Sequence, residues 1–180
     1  MSERSQNRHS RRSLARMGAV LLLGSWAMTG LTGTAAAGNA QGPIDEPGVY
    51  RIVNVEAETS LRAYASFRPI FVNSTPQDPG PYELWDIAQT EDGFTIENVG
   101  LRDRGAPAYA SARQTKEDNL VITSGEPMDW SIESADDDTY VIKAPNEDLL
   151  WNADPPVVPL RNADGSDTQR WRFEPADDEQ

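Results

Sequence analysis

Leu84-Trp85-Asp86-Ile87 is the stretch that decides how this chain is read, because its pattern returns as Asp129-Trp130-Ser131-Ile132 and as Arg170-Trp171-Arg172-Phe173. The three tryptophans lie 45 and 41 residues apart, and each is followed two positions later by a bulky apolar residue. That alternation belongs to a strand with one buried face. A second phrase keeps step with the first: Tyr50-Arg51-Ile52, Phe94-Thr95-Ile96 and Tyr140-Val141-Ile142 are spaced by 44 and 46 residues. A third set, Tyr64, Tyr109 and Trp151, recurs at 45 and 42. Markers that return together mean an internal triplicate with a period of about 44 residues.

Breaks at Gly, Pro and Asp divide each unit into four short strands. The first unit predicts strands near 49–54, 60–65, 69–73 and 84–89, the second near 93–99, 107–112, 119–124 and 129–134, and the third near 139–144, 149–153, 157–161 and 170–174. Glu91-Asp92-Gly93 and Asp136-Asp137-Asp138 are the turns that separate a Trp strand from the next aromatic strand. No segment carries a convincing helical period. Twelve strands in three units predict an all-β chain and a β-trefoil, a six-stranded barrel capped by three hairpins, in which closure removes the exposed sheet edges. A propeller has blades of similar length, but three are too few to close.

The chain begins with a different composition. Arg4, Arg8, Arg11, Arg12 and Arg16 precede an uncharged apolar stretch from Met17 to Thr34 and small-residue sites at Ala35-Ala36-Ala37 and Gly38-Asn39-Ala40. This is the layout of an export signal, with a twin-arginine-like Ser10-Arg11-Arg12-Ser13-Leu14. The expected organisation is a cleaved signal over 1–40, a linker over 41–46, a trefoil over 47–176 and an acidic tail over 177–180. The expected destination is outside the cell, with no membrane attachment after cleavage. Leaving out that leader reduces the 16 basic and 29 acidic residues of the whole chain to 11 and 28, a net charge of −17. Such a surface repels nucleic acid and anionic membranes. The single histidine, His9, departs with the leader, and the sequence has no cysteine. A Ser-His-Asp triad, a Cys-His pair and the usual zinc site are therefore excluded from the mature part. No catalytic residue, metal ligand or cofactor is expected, and the protein reads as a monomer without enzymatic activity.

The three repeated tryptophans read as core. Tyr64, Tyr109 and Trp151 either pack beneath a hairpin or stand exposed as stacking faces for a sugar. Trp151 is the best such platform, with Asn152 and Asp154 beside it to hydrogen-bond hydroxyls. The Gln-x-Trp phrase of sugar-binding ricin B-like trefoils appears only in the third unit, as Gln169-Arg170-Trp171; the first has Glu83-Leu84-Trp85 and the second Met128-Asp129-Trp130. The acidic runs Asp136-Asp137-Asp138 and Glu117-Asp118 lack the spacing that wraps a calcium ion, and they read as solvated turns. The longer connections are Ser66 to Pro69, the Pro-rich Asn73 to Tyr82, Gly100 to Gly105 and Ala112 to Glu117.

Gly48-Val49-Tyr50-Arg51-Ile52-Val53-Asn54, Leu84-Trp85-Asp86-Ile87, Tyr140-Val141-Ile142-Lys143-Ala144 and Gln169-Arg170-Trp171-Arg172-Phe173-Glu174-Pro175-Ala176 resemble the cospin-type serine protease inhibitors, a mainly fungal β-trefoil family (peptidase inhibitor family sixty-six). The resemblance spans residues 46 to 176 and rests mostly on scaffold positions, with the ricin B-like trefoils as wider relatives. It implies a serine peptidase as partner and a rigid loop between the second and third strands, here Ser66, Phe67, Arg68 and Pro69, inserted in the protease cleft. Carried over by position, Arg68 is the specificity residue for a trypsin-like target. Pro69 follows it directly and has no amide hydrogen, so Phe67, or the alternative loop with Arg102 and Arg104, also stands as the contact. The carbohydrate reading, with a glycan as partner, is the alternative.

Overall fold

The computed structural model describes Ile44 and residues 47–72, 80–136 and 138–176. The expected export signal, most of the linker, most of the Pro-rich run after Asn73, Asp137 and the acidic tail lie outside the described residues.

All twelve expected strands are present: β1 (Gly48–Asn54), β2 (Leu61–Arg62), β3 (Phe71–Val72), β4 (Leu84–Gln89), β5 (Phe94–Asn98), β6 (Tyr109–Ala112), β7 (Val121–Ser124), β8 (Ser131–Ser134), β9 (Tyr140–Lys143), β10 (Leu149–Trp151), β11 (Leu160–Asn162) and β12 (Trp171–Pro175). The first and fourth strand of each unit make the barrel. Antiparallel pairing runs from β1 to β4, β4 to β5, β8 to β9, β9 to β12 and β12 back to β1. The remaining seam, between β5 and β8, is closed by a pair of bonds in which Phe94 and Trp130 exchange N–H and carbonyl at 2.9 and 2.8 Å. At that seam Gly93 sits at φ +151°, and a Cβ there would lie 2.5 Å from the Trp130 carbonyl oxygen. Only glycine lets the two backbones meet.

The hairpins β2–β3, β6–β7 and β10–β11 cap one end. They join one another around a threefold axis through Ile70 N–H to the Val121 carbonyl, Val121 N–H to the Val158 carbonyl, and Val72 N–H to the Pro156 carbonyl. The fold is a β-trefoil. Among the described residues its departures from the expected all-strand chain are small: one turn of helix, α1 (Val99–Arg102), and 3-10 turns at Pro81–Glu83 and Asp167–Gln169.

Symmetry is clearest in the core. Trp85, Trp130 and Trp171 are fully buried, and their indole N–H groups donate to the carbonyls of Leu61, Ala110 and Trp151 on the second strand of their own unit, at 3.2, 3.0 and 3.3 Å. Burial of a ring with its one polar atom bonded avoids the penalty of an orphan donor. Each tryptophan also faces the end of the following barrel strand: Asn98 lies opposite Trp85 and Asn54 opposite Trp171. The Asn98 amide donates to the carbonyls three and one residues before its tryptophan (Tyr82, 2.9 Å; Leu84, 3.3 Å) and accepts from Leu101 N–H. Asn54 repeats the clasp with Thr168 (3.0 Å), Arg170 (3.1 Å) and Ala57 N–H. Continuing the β8–β9 register puts Ala144 opposite Trp130, so the third junction lacks the clasp.

Candidate functional site

The expected inhibitory loop is a tight turn over 65–68 between β2 and β3. Ser66 is half-buried; Phe67 and Arg68 are exposed, and Phe67 ranks with Tyr64 as an exposed large hydrophobic residue, at 58% and 56%. The turn is held from below by Thr123 on β7, a fully buried residue 55 positions or more along the chain. Its hydroxyl donates to the Ala65 carbonyl (2.8 Å) and lies 3.4 Å from the Arg68 N–H. Its backbone takes the Phe67 N–H (3.1 Å) and gives its own N–H to the Arg68 carbonyl (3.0 Å). Pro69 then bridges to Ile122, and Ile70 is in the core. One residue thus satisfies both ends of the turn, which fixes its shape while Phe67 and Arg68 stay exposed. Phe67 has φ +59°, in the left-handed region that few aromatic residues adopt.

Two recesses are bordered by residues of the turn and of the segment just before it. One, of about 370 Å³, is lined by Phe67, Arg68 and Pro69 together with Arg113, Asp118 and Ile122. The other, of about 190 Å³, is walled by Arg62, Tyr64, Tyr82, Leu101 and Arg104. Tyr64 packs edge-on against Phe71 at 5.2 Å, with the Arg62 guanidinium 5.0 Å from its ring centre. Arg62 is also tied to the buried Glu83 carboxylate at 3.1 Å, which holds it in place. Both hollows are bordered by arginines, on a chain that is otherwise strongly acidic.

The alternative loop divides. Arg102 closes α1 and is bonded to Asp86, with Glu97 at 3.5 Å and Asp103 at 3.7 Å. The hydrogen bond to Asp86, and then the surrounding carboxylates, raise its guanidinium pKa further, so it is engaged within the domain. Arg104 is exposed and lies over the Tyr82 ring at 5.0 Å. The Tyr82 ring in turn packs against Gly100, where a Cβ would come within 2.8 Å of it. The expected loop over Gly100–Gly105 is thus a helical turn anchored by buried Leu101.

Trp151 corrects the expectation of a sugar platform. It is 0% exposed and meets Trp130 and Trp171 edge-on at 5.0 and 6.5 Å, so it has no free face. The reason is register. The carbonyl that receives the Trp171 indole belongs to Trp151, and the matching carbonyl in the second unit belongs to Ala110, not Tyr109. Trp151 is therefore one position out of step with Tyr109, and one position along a strand exchanges the outer face for the core. Asn152 receives the Thr168 hydroxyl at 3.0 Å and donates to the Ala153 carbonyl, and exposed Asp154 lies 3.7 Å from Arg161. Gln169 is also internal: it donates to the Asn162 carbonyl at 2.9 Å and accepts from Asp164 N–H at 3.0 Å, tying the loop before Trp171.

At the junction without an asparagine clasp lies a wider recess of about 810 Å³, bordered by Met128, Ala144 and several carboxylates including Asp92, Glu133 and Asp148. Among the described residues no group of three or more acidic, histidine or cysteine side chains is arranged to hold a metal ion.

Thr123 escaped the sequence reading because its partners are far away in the chain. Asn54 and Asn98 were readable in principle, since they are spaced by 44 residues in step with the other markers.

No family model matches the sequence, and no curated protein matches it significantly. Its backbone is similar to those of solved trefoils. A ricin B-like lectin from Macrolepiota procera, solved with lactose, is 18% identical with a TM-score of 0.62, over 73% of this chain and 97% of that one. The Rhizoctonia solani agglutinin is 20% identical with a TM-score of 0.62, over 73% and 96%. A proteinase inhibitor from Coprinopsis cinerea is 14% identical with a TM-score of 0.54, over 73% and 99%. At these identities the likeness establishes the β-trefoil architecture, which lectins and an inhibitor share.

Proposed function

We propose that this chain is an exported, monomeric, non-catalytic inhibitor of a serine-type peptidase, acting through the turn from Ser66 to Pro69. The observation that carries the reading is the Thr123 tether, which holds an exposed turn at both ends and leaves Phe67 and Arg68 outward. A protein that blocks a cleft gains affinity when its contact loop is ordered before binding, because less conformational entropy is then lost in the complex. The resemblance to cospin-type inhibitors points to the same segment, and an inhibitor stands among the similar structures.

A carbohydrate-binding reading draws on the lectins of the same fold. On this chain its aromatic face would be Tyr64, since Trp151 is enclosed. The purified protein, incubated with trypsin-, chymotrypsin- and subtilisin-like enzymes beside a glycan array, separates the two. Inhibition of at least one peptidase at micromolar protein is expected; a silent panel with a saturable glycan signal would replace the inhibitor by the lectin.

A further inference from the structure

Resting on the peptidase reading, we infer that Phe67, not Arg68, is the anchor of the turn, and that it enters an apolar, aromatic-accepting pocket of the peptidase as a side-chain plug without offering a cleavable bond. A substrate-like segment docks in a cleft as an added strand, with extended backbone and free main-chain N–H and carbonyl groups. This turn withholds them. The Phe67 N–H is committed to the Thr123 carbonyl and the Arg68 carbonyl to the Thr123 N–H. The carbonyl of the 68–69 bond is therefore held against the body of the domain, away from any oxyanion-binding donors. Pro69 supplies no N–H after it. The φ of +59° at Phe67 turns the chain where a strand would continue. The side chains are what the turn presents.

Between the two exposed candidates, the conformation distinguishes Phe67. A left-handed turn position is filled most easily by glycine or asparagine, and an exposed one gains nothing for folding from an aromatic ring. Phe67 combines both penalties, with 58% of the residue exposed. An unfavourable residue held in place by its surroundings marks a functional position. Large aromatic rings are also the side chains that dominate interface energy, through desolvated pockets. The occupant of this surface is accordingly a serine peptidase whose primary pocket is apolar, rather than a trypsin-like enzyme with a buried acid.

The test uses the purified protein and its Phe67→Ala, Phe67→Gly and Arg68→Ala variants against chymotrypsin-, subtilisin- and trypsin-like enzymes, with binding, thermal melting and intact-mass measurement after prolonged incubation. Apolar-pocket enzymes should be inhibited in preference to trypsin-like ones. Phe67→Ala and Phe67→Gly should weaken binding on the order of 100-fold, and Arg68→Ala by less than about threefold. Phe67→Gly should melt no lower than the parent, because glycine suits the left-handed position. The mass should show no hydrolysis at 67–68 or 68–69. Inhibition that survives Phe67→Ala but not Arg68→Ala, or a clean cut at either bond, overturns this inference while leaving the peptidase reading intact. A panel in which no peptidase is bound removes both.

Discussion

Thr123 spends all its polar capacity on the turn above it: hydroxyl to Ala65 and Arg68, carbonyl from Phe67, N–H to Arg68. A hydroxyl that is wholly buried contributes only when its bonds are made, and here they order a surface segment. Thr123→Val keeps the shape and the backbone bonds but deletes the hydroxyl. The expected loss of stability is about 1 kcal/mol, read by denaturant unfolding, and on the proposed inhibitory function the inhibition constant should rise clearly as the turn loosens. Unchanged inhibition in a folded Thr123→Val protein would show that the tether is not what presents Phe67. Tyr64 and Phe67, both exposed, are then left as the apolar features of this face.

Elements here are short, several of only two or three residues, so their stability comes from closure and not from strand propensity. The β5–β8 seam illustrates this, since Phe94 and Trp130 exchange its bonds only because Gly93 lies under the Trp130 carbonyl. Gly93→Ala should be destabilising by more than about 1 kcal/mol, since the added carbon meets backbone that has nowhere to move. A melting temperature equal to the parent's would mean that the seam is softer than its geometry. The asparagine clasps act at the same scale. They tie the segment before Trp85 and Trp171 to the next barrel strand, and Ala144 leaves the segment before Trp130 without that tie. The three junctions are therefore alike in fold and unequal in polar bonding.

For the molecule as a whole, the threefold arrangement makes Trp85, Trp130 and Trp171 equivalent in burial and in the bond each indole makes. Replacing any one with alanine should cost roughly 3–5 kcal/mol, and the three losses should be similar. Calorimetry or denaturant titration of the three variants checks this; a mild effect at one site would show that its third of the barrel repacks. Trp151 breaks the symmetry by adding a fourth buried indole, set edge-on to two of the others, with its N–H unpartnered among the described residues.

Repetition made the fold legible. Sequence alone determined the triplicate, the twelve strands, the three core tryptophans and a composition with no cysteine and no histidine after His9, because alternation, spacing and composition are local properties that survive without coordinates. Tertiary structure decided everything that depended on register or on distant partners. It moved Trp151 inward by one strand position, bound Arg102 to Asp86, and brought Thr123 beneath Phe67 and Arg68. The physical reason is that a strand's periodicity says which residues share a face, but only closure of the barrel and its hairpin cap decides which face is inside and which chain segment supports it.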